Sequence, residues 1–500
     1  MAPHELKILS SQLNAQTREI QHHPYDPERW LTRAKTLRKL RYPELALGDA
    51  HKASLLCAQH LRRLQDEGLG GGWRLGSGMG FWMMESVSDN DAALEERLLT
   101  MQERARKAEE RCLGGLGMNA KGKFYPQPYP WITADRSRRS DELVGLLNEE
   151  FATSASAVGS SQPLCQVRQH AFGDTGPASK DILGVFATQD IPAHTTILHD
   201  TTHILGCCGP GAGGDMANLG GALACGDPVH PNLPDEGAEL DLRWVRDETG
   251  TGATSTLLTI RLLLAALQDG VHHPLDHSLV ARLTPNYRDP DDEGIEPESF
   301  YLASDIAVPL RALQQFGIDI FAQLEWDTWV LFTVSQRQLN NVCGDAISGS
   351  LMPLFSLFNH SCEPNVEWSR VMGKRDGGEE MDDWGDPIDA ASWSVDHGTV
   401  TVTTAWDIRK GEQLFVEYDS FEHDHAVTDR RRRLRKWLSG DCMCTRCVKE
   451  AGAEERGKMK GIVRRDSPFG RKERAWDDGE KVELPEDDEG FHRGTKLNMW

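Results

Sequence analysis

Three cysteines near the C-terminus constrain the fold of this 500-residue chain more than any other feature of its sequence. Cys442, Cys444 and Cys447 form a C-x-C-x2-C cluster. Structural zinc sites are tetrahedral and take four ligands, so these three thiolates leave one position for a distant residue. Cys362, in the run Asn-His-Ser-Cys-Glu-Pro-Asn that spans 359–365, is the candidate for the fourth ligand. A shared zinc ion would therefore fasten the C-terminal segment to the segment around Cys362.

The length and charge of the chain narrow the classes of function. A chain of this length is compatible with about three or four domains. The formal net charge of −22 disfavours direct nucleic-acid binding, which needs a basic surface to neutralise phosphates. An acidic surface is instead consistent with a lysine-rich protein substrate. The N-terminus shows no secretory signal pattern and the chain no long apolar run, so we expect reduced thiols, no membrane partner and a nuclear or cytoplasmic location.

Three segments carry distinctive patterns in a fixed order along the chain. They are Leu-Gly-Val-Phe-Ala-Thr-Gln-Asp-Ile-Pro at 183–192, Asn-His-Ser-Cys-Glu-Pro-Asn at 359–365 and Gly-Glu-Gln-Leu-Phe-Val-Glu-Tyr at 411–418. With the cysteine cluster that follows, they resemble the SET-domain protein lysine methyltransferases, in particular the SET and MYND-like group. The resemblance implies an α+β fold: a β-rich SET core split by a long helical insertion, a zinc-bound post-SET segment and a helical N-terminal region.

The resemblance also implies an activity and its cofactors. The family transfers a methyl group from S-adenosyl-L-methionine to the side-chain amine of lysine in a histone or non-histone protein. In relatives, residues matching Asn359 and His360 and the backbone at the positions of Ile182, Leu183 and Gly184 bind the methyl donor. Many members have a glycine where Ile182 stands, so the backbone approach there is expected to differ. A structural Zn²⁺ is expected at Cys362, Cys442, Cys444 and Cys447.

Tyr418 is the candidate catalytic residue. In the family, the matching tyrosine orients the lysine amine and the methyl group for in-line displacement. Strand periodicity places Leu414, Val416 and Tyr418 on one face, with the phenol pointing inward. The competing interpretation is a core tyrosine bonded to a backbone carbonyl. The attacking lysine must also be neutral, which costs about 4–5 kcal/mol at pH 7 unless an apolar channel lowers its pKa.

The remaining sequence predicts the layout of the chain. We expect a helical, tetratricopeptide-like hairpin at 1–67; a glycine-rich linker, charged helix and proline-rich connector at 68–160; the SET core at 161–205 and 351–424, split by a helical insertion at 206–350; the post-SET zinc segment at 425–450; and a charged, disordered tail at 451–500. Within the insertion, helical spacing is predicted for Leu257, Ile260, Leu263 and Leu264, and again for Phe316, Ile320, Leu324 and Trp329. Cys207, Cys208 and Cys225 are too few for a MYND finger.

Two alternatives remain open on the sequence. The N-terminal hairpin either packs on its neighbour or forms a groove for a protein partner, because stacked repeats need about three units to be stable alone. The basic run at 430–436 is either a nuclear import or DNA-contacting segment or a solvated helix face paired with acidic neighbours. The competing function is a catalytically inactive SET scaffold that acts as a protein-interaction module through its helical regions.

Overall fold

The structure is a computed structural model. It describes residues 3–68, 90–115, 121–127, 129–132, 136, 139–170, 182–201, 204–207, 243–249, 253–285, 287, 297–344, 348–371, 399–418, 425–438 and 440–452. Most of the glycine-rich linker, Cys208, Cys225 and nearly all of the predicted tail lie outside these residues. Among the helices of the described ranges, none combines the length and the apolar character that a membrane crossing requires.

Four helices form the N-terminal region: α1 (Pro3–His22), α2 (Pro27–Lys39), α3 (Pro43–Gly68) and α4 (Asn90–Gly115). Helix α2 begins at Pro27 because the Asp26 side chain accepts the backbone N–H of Glu28, and proline is favoured in the first turn. Trp30 of α2 and Leu47 of α3 are fully buried in a core that they share with helices of the insertion. The predicted hairpin is thus packed on its neighbours.

The insertion combines helices with short strands. Its helices are α6 (Arg243–Thr249), α7 (Ala253–Gln268), α8 (Ser278–Ala281), α9 (Val308–Gln315) and α10 (Thr328–Leu339), which follow α5 (Asp141–Ala155) in the chain. Strand β1 (Lys121–Phe124) pairs with β6 (Glu298–Tyr301), and β5 (Ile204–Cys207), β7 (Cys343–Gly344) and β8 (Ser348–Leu351) form a three-stranded sheet. The segment predicted to be helical therefore has strands where it joins the core.

One helix prediction within the insertion is wrong. The spacing of Phe316 and Trp329 indicated one helix, but α9 ends at Gln315 and α10 begins only at Thr328. Gly317 adopts a left-handed φ of 81°, and Ile318 N–H donates to the carbonyl of Leu313, which is a helix C-terminal motif. Asp327 then starts α10 by accepting the N–H of Thr328.

The described residues of the segments predicted to form the SET core contain two sheets. One has the order β10 (Val366–Val371), β11 (Thr399–Thr404) and β4 (Thr196–Thr201). The other has the order β2 (Cys165–His170), β3 (Ile182–Ala187), β12 (Gln413–Val416) and β9 (Asn359–His360). Strand β12 runs antiparallel to β3 and parallel to β9. The three sequence patterns are thereby brought side by side.

Helix α5 belongs to the same core. Its Leu147 and Phe151 are buried with Val185 of β3 and Leu414 of β12. The serine at position 140 caps the helix by accepting the N–H of Leu143. Residues 141–155 were predicted to lie in the connector before the core, because no sequence motif in this segment indicates a helix of the core.

Helix α11 (Val427–Leu438) forms a small separate core with the cysteines. Several of its arginines are paired with carboxylates. Arg432 bonds to Asp429, Arg435 to Asp441, and Arg430 to Glu450. These pairs agree with a solvated helix face whose charges are neutralised by acidic neighbours.

A buried ionic network joins the N-terminal hairpin to α10. The Arg33 guanidinium donates to both oxygens of Asp49 and to Asp327, and Lys52 Nζ donates to Asp327 at 2.7 Å. The Lys52 side chain is fully buried and its Nζ lies 4.5 Å from the centre of the Trp30 ring. Because unpaired buried charges are costly, the network fixes how the hairpin sits on α10.

Candidate active site and metal centre

The junction of β3, β12 and β9 is built around Gly184. A Cβ atom at this position would lie 2.6 Å from Gln413 Nε2 and 3.2 Å from Asn359 Nδ2. Only glycine therefore allows the two amide side chains to approach the β3 backbone. The Asn359 amide donates to the carbonyl of Leu183 at 2.9 Å and fastens β9 to β3 across the end of β12. The half-buried Ile182 begins β3 at the same end of the sheet.

Both nitrogen atoms of the His360 ring have hydrogen-bond partners within the protein. Its Nδ1 accepts the backbone N–H of Tyr418 at 3.0 Å, and its Nε2 lies 3.2 Å from Cys362 Sγ. Burial lowers the pKa of His360 to about 4, so the imidazole is neutral. The ring thus connects the candidate catalytic tyrosine to the cysteine cluster, and a ligand beside His360 would meet its backbone.

Tyr418 lies just beyond the end of β12 and bridges two cores. Its hydroxyl donates to the Phe358 carbonyl at 2.8 Å, which is the contact that the competing interpretation of a core tyrosine predicts. Its ring centre lies 5.2 Å from that of His360 and 6.4 Å from that of Trp437, which meets it edge-on. Burial raises the pKa of the Tyr418 phenol well above its usual value, so the hydroxyl keeps its proton at neutral pH.

Trp437 packs against the candidate catalytic tyrosine. It lies on α11, five positions before Cys442. Helix α11 brings the indole against the Tyr418 ring, and Trp437 is only 7% exposed. The helix therefore adds aromatic bulk beside Tyr418.

Gln413 presents a polar group that the sequence analysis did not single out. The residue is 7% exposed, and its Nε2 has no hydrogen-bond partner within the described residues. Burying an amide N–H without a partner is costly. S-adenosylmethionine carries carboxylate, hydroxyl and ring-nitrogen acceptors that could accept this hydrogen bond. The Gln413 amide N–H beside Gly184 and Asn359 is therefore a suitable hydrogen-bond donor to S-adenosylmethionine. No local pattern in the sequence marks this side chain as functional.

The four predicted metal ligands converge. The Sγ atoms of Cys362, Cys442, Cys444 and Cys447 all lie within 4.8 Å of one another. Cys362 Sγ is 4.0 Å from Cys442 Sγ and 3.6 Å from Cys447 Sγ. Tetrahedral zinc with Zn–S bonds of about 2.3 Å requires sulfurs about 3.8 Å apart. The four thiols therefore fit a closed, structural zinc site.

Two arginines contact the cysteine cluster, one at a sulfur atom and one at a backbone carbonyl. Arg430 Nη2 donates to Cys447 Sγ at 3.6 Å, and Arg446 Nη1 donates to the Cys362 carbonyl at 3.3 Å. Both side chains also bond to Glu450. Hydrogen bonding from Cys362 is the largest influence that lowers the pKa of Cys447 to about 7. Such outer contacts orient metal ligands and offset the charge of four thiolates.

Asn340 and Asn341 lie just after the C-terminal end of α10, near the end of the insertion. The amide nitrogens of both residues donate to the carbonyl of Thr284 at 2.9 Å. Asn341 donates also to the carbonyl of Arg337. Asn340 Oδ1 is buried and has no partner among the described residues, whereas the amide nitrogens serve to close the C-terminal end of α10.

Comparison with known proteins agrees with this geometry. Residues 182–419 match the family model of the SET domain, from the start of β3 to the residue after Tyr418. The match covers just under half of the chain and contains all three sequence patterns. The chain is similar to histone-lysine N-methyltransferase SET5 of Yarrowia lipolytica, with 32% identity over 108 residues. That match spans 22% of this chain and only 19% of the relative. A solved SET domain of LSMT bound to lysine and AdoHcy overlaps 60% of this chain and 58% of its own, with 11% identity and a TM-score of 0.29.

Proposed function

We propose that this protein transfers a methyl group from S-adenosylmethionine to the side-chain amine of a lysine in a protein substrate. The observation that carries the proposal is the placement of Tyr418 within the matched SET domain. Its protonated hydroxyl is held by Phe358 and its ring lies between His360 and Trp437. The relative in Yarrowia lipolytica bears the name of a histone-lysine methyltransferase, which supports the reaction class without identifying the substrate here.

The chain's own groups suit positioning rather than covalent catalysis. Because the Tyr418 phenol is held protonated, it acts as a hydrogen-bonding group and not as an anionic base. The aromatic and apolar surroundings of Tyr418 disfavour an ammonium ion, which lowers the pKa of an entering lysine amine. S-adenosylmethionine, when bound, supplies an electrophilic methyl group. Gly184, Asn359, Gln413 and the backbone of Leu183 and His360 are the groups we propose to hold it.

The zinc is proposed to be structural. Four cysteine ligands complete a tetrahedral shell and leave no open position for a substrate. Cys362 precedes Cys442 by 80 positions, so the ion would join two distant segments of the chain. This link would hold α11 and its Trp437 against Tyr418. We also propose a nuclear or cytoplasmic location for the protein.

The proposal is tested with the purified full-length chain and S-adenosylmethionine labelled on its methyl group. We expect saturable donor binding by calorimetry and incorporation of label into lysine of proteins in a cell extract, identified by mass spectrometry. Donor binding without incorporation into any lysine would contradict the proposed reaction. Absence of donor binding would instead favour a SET scaffold that engages partners through its helices.

A further inference from the structure

A buried carboxylate lies beneath the segment that precedes the site. Asp200, on β4, is 5% exposed, and its Oδ2 accepts two backbone hydrogen bonds, from Leu354 N–H at 2.8 Å and from Phe355 N–H at 2.7 Å. Both distances are at the short end of the range for N–H···O hydrogen bonds. One oxygen atom from a distant strand therefore fixes the start of a turn 154 positions later in the chain.

That turn leads directly to the site. Residues 355–357 form a single turn of 3₁₀-helix, and Phe358 and β9 follow without a break. We call residues 354–360 the approach segment. It contains the carbonyl that accepts the Tyr418 hydroxyl and the Asn359 amide that bonds to β3. A shift at the start of the approach segment would be transmitted over a few residues to both contacts.

A buried guanidinium secures the residue before this segment. Arg282 is 3% exposed, and its Nη1 donates to the Pro353 carbonyl at 3.3 Å. The same guanidinium donates to both oxygens of Glu150 on α5, at 2.6 and 2.7 Å. The backbone at 353–355 is thus held through its carbonyl by Arg282 and through its N–H groups by the Asp200 carboxyl group. Two independent contacts from different elements restrict where the approach segment can begin.

We propose that Asp200 is a positioning residue for methyl transfer, which acts through the approach segment to place the Phe358 carbonyl and hence the Tyr418 hydroxyl. The inference rests on the proposed function. Asp200 touches neither donor nor lysine in this proposal, and its contribution is geometric. Misplacement of a catalytic group by about 1 Å can lower a rate by about 100-fold, so a remote anchor can have a large kinetic effect.

The test compares Asp200→Leu, which keeps the branched shape but removes the acceptor, with Asp200→Asn, which keeps one oxygen that can accept the two N–H groups. We expect the leucine variant to lose at least about tenfold in kcat, with the KM for a lysine peptide changed less than about threefold. The asparagine variant should recover most of the loss. If the leucine variant does not fold, Asp200→Ser replaces it. The serine side chain is shorter, so its hydroxyl oxygen lies too far from the two N–H groups to accept from them as the carboxyl group does.

Asp305→Leu is the matched control. Asp305 also uses one carboxylate oxygen to accept a backbone N–H, that of Tyr301 at 2.6 Å, but it lies in the insertion. Its loss should lower the melting temperature without changing kcat. If Asp200→Leu also lowers only the melting temperature and leaves kcat unchanged, Asp200 is merely structural and the proposal is wrong.

A readout independent of activity separates this proposal from the proposed function. Hydrogen exchange of the backbone N–H groups at 358–361 should accelerate at least tenfold in Asp200→Leu and stay near wild type in Asp305→Leu. Faster exchange in a protein that never transfers methyl groups would overturn the proposed function while retaining the anchoring of the approach segment. Unchanged exchange in the leucine variant would overturn the anchoring itself.

Discussion

The hydroxyl of Tyr418 donates its hydrogen bond to the main-chain carbonyl of Phe358 at 2.8 Å. The two residues are 60 positions apart and meet because β12 and β9 are parallel neighbours. A tyrosine held in this way has a fixed ring direction and keeps its proton. The bond satisfies the buried phenol, and it also sets where a second hydrogen-bonding partner would approach the oxygen.

Replacement of Tyr418 by phenylalanine tests the catalytic role. We expect Tyr418→Phe to reduce methyl transfer by at least 100-fold, because the orienting hydroxyl is lost. The free energy of unfolding should fall by only about 1 kcal/mol, the usual net value of one hydrogen bond. Turnover, donor affinity and thermal unfolding are measured together. Tyr25→Phe is the control: the hydroxyl of Tyr25 in the N-terminal region donates to Asp319 of the insertion, and its loss should not alter turnover. Full turnover in Tyr418→Phe would remove the residue from the mechanism.

Removal of one cysteine tests the metal centre. Wild-type protein should contain one zinc per chain by elemental mass spectrometry, and Cys444→Ser should contain much less, because three thiolates do not close the shell. Limited proteolysis should then cut residues 425–452 faster. Cys57→Ala, which changes a buried cysteine outside the cluster, should keep its zinc. A Cys444→Ser protein with its full zinc content would refute the ligand set.

The buried ionic network predicts a large loss of stability from a single change. Asp327→Leu leaves the fully buried Lys52 ammonium without its carboxylate, and we expect the free energy of unfolding to fall by about 3–5 kcal/mol. Glu28→Ala, which breaks an exposed pair with Arg104, should cost less than about 1 kcal/mol. Denaturant unfolding measures both. Similar losses in the two variants would mean that the network does not hold the hairpin on α10.

Glu44 predicts how stability depends on pH. Burial raises the pKa of Glu44 to about 7, against the hydrogen bond that Tyr129 donates to it. The folded state therefore holds a proton between about pH 4.5 and 7 that the unfolded state has lost, so stability falls as pH rises through this range.

Glu44→Gln should remove this contribution, which is at most about 3 kcal/mol. The variant should gain stability relative to wild type as pH rises from 5 to 8. Wild type and variant are unfolded in denaturant at each pH, and the other buried carboxyls cancel in the difference. A constant difference between the two curves would show that Glu44 does not titrate in this window.

Local patterns determined much of this protein from the sequence alone. Strand periodicity placed Leu414 and Val416 on the inward face of β12, and helical spacing predicted α7 from Leu257, Ile260, Leu263 and Leu264. Thiolate chemistry and tetrahedral zinc singled out Cys362 as the partner of the C-terminal cysteines, and the sulfur positions agree. These features depend on backbone periodicity or on ligand number, and both are visible within short stretches of sequence.

Other features were decided only by tertiary packing. Asp200, the Gln413 amide and the Phe358 carbonyl matter because of contacts with residues far away in the chain, and no local pattern marks them. The same holds for the Arg33 and Asp327 pair, which spans 294 positions. A buried polar group is satisfied by whichever element packs beside it, and that choice follows from the balance of the whole core. Sequence thus supplied the chemistry of the site, and the packing of distant strands and helices supplied its geometry.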